Sequence, residues 1–124
     1  MPWHKKPAPP VLSPSLDVTV NMQNSANDKQ PVTVLIVQPV DQKDFVTANY
    51  GSLTQNALDQ NVSRYIFVPD QMGQKVTIDV NDAPIAIYFI LKRQPVSGWK
   101  YYIDKPRGKK LSFTIDRYDI KMGQ

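Results

Sequence analysis

The pattern of apolar and polar positions changes along this chain in a way that separates its elements. Leu16-Asp-Val-Thr-Val-Asn-Met22 alternates strictly, with Leu16, Val18, Val20 and Met22 on one side and Asp17, Thr19 and Asn21 on the other. That period of two predicts a half-buried strand. Gln23 to Gln30, "QNSANDKQ", is polar and rich in turn formers, and predicts a loop longer than a tight hairpin needs. Val32 to Gln38 packs apolar residues together and predicts a second strand, ended by Pro39. The pattern then switches. Asp41-Gln-Lys-Asp44-Phe45 reads as a helix start, with Asp41 placed to cap it and Asp44 in the first turn. Phe45, Ala48 and Asn49 share a helical side, Gly51 is expected to end this piece, and a second weak turn is expected at Leu53 to Leu58.

From Asn61 onward the strand pattern returns. Ser63 to Val68 is β-branched and aromatic, and Pro69 to Gly73 predicts a turn. Gln74 to Val80 alternates, with Val76, Ile78 and Val80 inward. Ile85 to Leu91 is apolar on both faces, as in the central strand of a sandwich. Trp99 to Asp104 and a last strand, Leu111 to Ile120, complete a count of about seven to eight strands. Short strands with frequent turn signals predict an all-β sandwich with a helical insertion after the second strand. A helix laid over an exposed sheet edge would protect it.

Composition adds boundaries and exclusions. At 124 residues the chain suits one domain with its own core. Five of its eleven prolines fall in residues 1–14, which predicts an extended tether at about 3 Å per residue, followed by a sandwich domain over residues 15–124. No run reaches the roughly 20 apolar residues of a spanning helix. No apolar segment follows Met1, so the expectation is either a cytoplasmic chain or a mature portion with a new start codon. The net charge of +4 is concentrated in His4-Lys5-Lys6 and in Lys105 to Lys110, read as a solvated tail and a solvated turn. Nucleic-acid binding is not expected, because the basic residues do not interleave with aromatics in any known module.

No reaction centre is legible. There is no cysteine, and the single histidine lies in the proline-rich stretch, so neither a thiolate nucleophile nor a His-based triad or metal site can be assembled. Asp41 and Asp44 are more simply capping residues than an acid–base pair. Asp79, Asp82 and Asp104 fall at strand ends and turns. No calcium loop or phosphate-binding glycine loop is present. The expectation is a non-enzyme with no catalytic residues, cofactor or metal. Trp99, Tyr101 and Tyr102 leave open a second class, a glycan- or ligand-binding sandwich.

The order of these elements resembles a known family. "LDVTVNM", a polar loop and then "QPVTVLIVQPVDQKDFVTANYGSL" are followed by a strand ending in Pro69, a turn with Gly73, "KVTIDV", an apolar central strand and Trp99. From Leu16 to Asp104 this is similar to the outer-membrane lipoprotein family TssJ of type VI secretion. The resemblance implies a transthyretin-like two-sheet sandwich whose insertion covers an end or flank and is anchored by Phe45 and Tyr50. It also implies a structural protein lipid-anchored to the periplasmic face of the outer membrane. Its partner would be the periplasmic C-terminal domain of the inner-membrane protein TssM. The family's partner contact maps onto the first loop, here Asn24, Ser25, Ala26, Asn27, Asp28 and Lys29. Two features depart from the family: the lipid-bearing cysteine is missing, and "IAIYFILKRQ" is bulkier than the family's small-residue strand. A transthyretin-like lipoprotein of another secretion apparatus would share the same outline. If a single acyl chain anchors the protein, Lys5 and Lys6 would be expected to assist it at the membrane.

Overall fold

The computed structural model describes residues 13–53 and 61–123. Among the described residues, eight strands form two four-stranded sheets that face each other. One sheet has the order β4-β1-β7-β8: β1 is Ser15–Met22, β4 Gln71–Asp79, β7 Lys110–Asp116 and β8 Asp119–Gly123. The other has the order β3-β2-β5-β6: β2 is Val32–Val37, β3 Val62–Phe67, β5 Ile85–Ile90 and β6 Lys100–Ile103. The pairing of β1 with β7 is parallel and the other pairings are antiparallel.

The alternation in β1 does what its pattern dictates. Leu16, Val18, Val20 and Met22 are completely buried, against Phe113 and Ile115 of β7 and Ile78 of β4. Across the interface, Val32, Val34, Ile36, Ile85, Ile87 and Phe89 fill the facing layer. Phe89, Phe113 and Tyr101 meet there at ring distances of 4.9–6.0 Å, tilted or edge-on rather than stacked.

Several boundaries differ from the sequence pattern. The turn expected over Pro69 to Gly73 is shorter, and β4 begins at Gln71. The run Leu111 to Ile120 is two strands joined at Arg117-Tyr118, with Arg117 at a φ of 53°. No Gly or Asn marks that hairpin, so the usual signal for positive φ was missing. Gly51 does not end the first helix. It lies inside α2 (Tyr50–Leu53), and α1 (Gln42–Thr47) stops at Ala48. Asp41 occupies the cap position of α1 with extended backbone, but its side chain makes no capping bond. The second turn expected at Leu53 to Leu58 extends beyond the described residues, as do His4, Lys5 and Lys6.

The insertion covers a face of the sandwich, not an edge. β2 and β5 are apolar on both sides, so the outer side of their sheet, carrying Leu35, Ala86 and Tyr88, also needs cover. Phe45 of α1 packs on Tyr88 at 6.2 Å and on Tyr102 at 5.6 Å. Tyr50 sets its ring edge-on to Trp99 at 5.3 Å. Its hydroxyl donates to the Leu91 carbonyl at 2.7 Å and accepts from the Leu91 N–H at 2.6 Å. Lys100 donates to the carbonyls of Phe45 and Val46 at 2.9 and 3.0 Å in the last turn of α1, where a cation is favoured. Phe45 and Tyr50 are therefore the anchors, as expected.

Candidate partner-binding end of the sandwich

The chain enters the sandwich at Ser15, where β1 starts, and reaches the first loop immediately after Met22. Four connections share that far end: 23–31, 68–70, 91–99 and 117–118. The segment 24–29, expected from the family resemblance to be the contact loop, sits at its centre. The loop is not uniformly solvated as its polarity suggested. Ala26 is fully buried and Asn27 is only 2% exposed.

Asn27 organises the loop. Its amide group donates to the carbonyls of Gln30 (3.3 Å) and Pro31 (3.0 Å), and its side-chain oxygen accepts from the N–H of Lys92 at 2.7 Å. Its own N–H donates to the carbonyl of Arg117 at 2.8 Å. One buried side chain thus ties the first loop to the β5–β6 connection, and its backbone ties the loop to the β7–β8 turn. With those bonds in place, Asn27, Asp28 and Lys29 hold φ values of 53°, 51° and 63°, three consecutive left-handed residues in a region that side chains disfavour. The conformation persists because the surroundings over-determine it.

Beside Asn27 the side chains turn outward. Asp28 accepts from the Tyr118 hydroxyl at 2.9 Å and from Nη2 of Arg93 at 3.4 Å. The Arg93 guanidinium lies 4.4 Å from the centre of the Tyr118 ring. Contact with Tyr118, and secondarily the charge of Asp28, pushes the Arg93 pKa further up, so this exposed cation is permanent. Ser25 donates to Asp116 at 3.0 Å. The loop is a ridge between two shallow depressions. One, of about 490 Å³, lies over Pro31, Ile90 and Lys92; the other, of about 400 Å³, lies over Arg93, Arg117 and Tyr118. Val68, Met72 and Val96 add exposed apolar surface at this end, with 40%, 54% and 102% of their area open.

The sequence predicts the loop itself but not that Arg93, Arg117 and Tyr118 gather beside it. They lie about 65 to 90 positions from the loop, and no local signal links them. Asn24, Asp28 and Lys29 are exposed, Ser25 is half-buried, and Ala26 and Asn27 are buried between them.

The aromatic row of the alternative reading does not form. Trp99 is 8% exposed, Tyr101 points into the core against Phe89 and Phe113, and Tyr102 lies on the outer face against Phe45. Successive strand residues face opposite ways, which splits the row. Among the described residues, no three His, Cys, Asp or Glu side chains gather where a metal ion could be held. Asp41 and Asp44 line a cavity of about 290 Å³ under the insertion together with Leu35, Val40 and Tyr88. Burial, and then the charge of Asp44, raises the pKa of Tyr88 above the ordinary tyrosine range, which keeps it neutral. Nothing at that site supplies a nucleophile with a base.

Comparison with solved structures places this fold. Serratia marcescens Lip, a membrane-bound component of the type VI secretion system, superposes with a TM-score of 0.73 at 13% identity, over 92% of this chain and 98% of that one. The type VI lipoprotein TssJ1 of Pseudomonas aeruginosa gives 0.70 at 13% identity, over 91% and 96%. A chain in the structure of the type VI protein TssM C-terminal domain from EAEC gives 0.67 at 14% identity, over 89% and 98%. The fold is therefore the TssJ fold that the order of elements suggested. Comparison with curated proteins gives no match. The family described as IglE, N-terminal domain, matches residues 34–115, about two thirds of the sequence. The chain belongs to the IglE N-terminal domain family, and it carries that family's sequence on a TssJ-type sandwich.

Proposed function

We propose that this protein is a non-enzymatic structural lipoprotein of a type VI-like secretion complex. In this reading it is anchored to the periplasmic face of the outer membrane and binds the periplasmic C-terminal domain of a TssM-type inner-membrane protein through Asn24 to Lys29. The observation that carries the proposal is the position and rigidity of the loop. It is fixed by Asn27 at the end of the sandwich opposite Ser15, about 26 Å away along β1. A tether entering at Ser15 would then hold the loop away from the membrane. The similarity in fold to membrane-bound and lipoprotein components of type VI systems supports the same reading. A preformed loop also loses less conformational freedom on binding than a mobile one.

Calorimetry against the periplasmic domain of the TssM-type protein from the same genome tests it. Shortening 24–29 should abolish binding while the thermal transition of the sandwich persists. Binding at full strength by the shortened protein would remove the loop from the interface. Fractionation of the native full-length protein tests the anchoring, with recovery in the outer-membrane fraction expected.

A further inference from the structure

The depression of about 400 Å³ beside the loop has an unbalanced lining. Its walls are Ser25, Asp28, Lys29, Arg93, Arg117 and Tyr118. That set holds three cations and one carboxylate. The carboxylate is already committed, since Asp28 accepts from both Tyr118 and Arg93. Asp116, bonded at 3.0 Å to Ser25 of the lining, and Asp119, paired with Lys121 at 3.5 Å, are not themselves part of that lining. The cations come from three separate connections, so the excess is created by the fold and is not a basic run in the sequence. Two of them stand on left-handed backbone, Lys29 at φ 63° and Arg117 at φ 53°. Arg93 carries five N–H donors, and its bond to Asp28 uses Nη2. Its guanidinium lies over the Tyr118 ring at 4.4 Å, and a guanidinium is suited to two-point recognition of a carboxylate.

We infer that this groove receives an acidic segment of the protein partner, with an Asp or Glu carboxylate seated between Arg93, Lys29 and Arg117. The inference deepens the proposed partner-binding role and rests on it. It assigns the charge of the partner's contacting segment and extends the interface to the β5–β6 and β7–β8 connections. Cations at the rim act mainly on encounter rate and salt dependence, whereas the loop's buried frame sets its shape. The two contributions are therefore separable by experiment.

The test measures association with the periplasmic domain of the TssM-type protein at about 50 mM and about 300 mM NaCl. The proteins compared are the wild type, the double variant Lys29→Glu/Arg117→Glu, its neutral counterpart Lys29→Gln/Arg117→Gln, and a charge-matched control, Lys105→Glu/Lys109→Glu, at the opposite end. The expected result is roughly a tenfold loss of affinity at low salt for the double reversal, a smaller loss for the neutral pair, a flatter salt dependence in both, and little change in the control. Circular dichroism melts show whether each variant is folded, and the neutral pair serves if the reversal is not. Unchanged affinity and salt dependence in the neutral pair would overturn the groove assignment and leave the loop reading standing. No binding by the wild type would overturn both. Binding of the wild type to anionic vesicles, lost in the double variant while partner binding persists, would give the groove to lipid headgroups and overturn the assignment to a protein.

Discussion

The two sheets are the same size and present opposite outer faces. In the β4-β1-β7-β8 sheet, β1 alternates strictly and shows Asp17, Thr19 and Asn21 on its outward side. In the β3-β2-β5-β6 sheet, β2 and β5 are apolar on both sides, and α1 and α2 lie over the outer one. The difference shows why the insertion exists. A strand that alternates can face water on one side, while a strand buried on both faces needs a second layer. The helices supply that layer, with rings from Phe45 and Tyr50 and a cation from Lys100.

The sharpest way to break this contrast is to remove the principal ring. Phe45→Ala should destabilise the protein by about 3 kcal/mol, because it opens a void over Tyr88 and Tyr102, and a urea melt would read the loss. Tyr50→Phe comes next, at about 2 kcal/mol, because it strands the N–H of Leu91. Tyr50 also sets a pH limit. Burial chiefly raises its pKa in the folded state. A tyrosine so shifted contributes stability that is intact below the unfolded value, about 10, and is lost as pH rises past it. Thermal melts should therefore be flat from neutral pH to about 9 and fall above 10, and Tyr50→Phe should lessen that fall. Lys100→Met removes the bonds to the end of α1 and the ammonium that lies 5.0 and 5.2 Å from the Phe45 and Trp99 rings, and should cost about 1 kcal/mol by the same melt. On the bare sheet, Thr19→Ala should change stability by less than about 0.5 kcal/mol. A large effect there would mean that the outer face of β1 is also covered.

Legibility in the sequence follows the same division. β1 could be read nearly to the residue, because one buried face leaves a clean period of two. β5 was legible as a central strand, but its doubly apolar pattern did not say what would lie over it, and the insertion's role was misplaced from face to edge. The β7–β8 hairpin was hidden because Arg117 takes a positive φ without glycine or asparagine to announce it. The loop of residues 24–29 was identified by position, through the family resemblance. Its rigidity was not, because Asn27 looks like any polar loop residue until Lys92, 65 positions away, donates to it. The basic groove was invisible for the same reason, being assembled from three connections.

The layout of β1 has a mechanical consequence. The covalent route from the point of entry at Ser15 to the loop after Met22 is a single eight-residue strand. A pull applied between a membrane anchor and a docked protein would pass along that backbone, which is already extended and flanked by β4 and β7. The ladders on either side would brace the strand without carrying the load, so the rest of the sandwich would stay folded under tension.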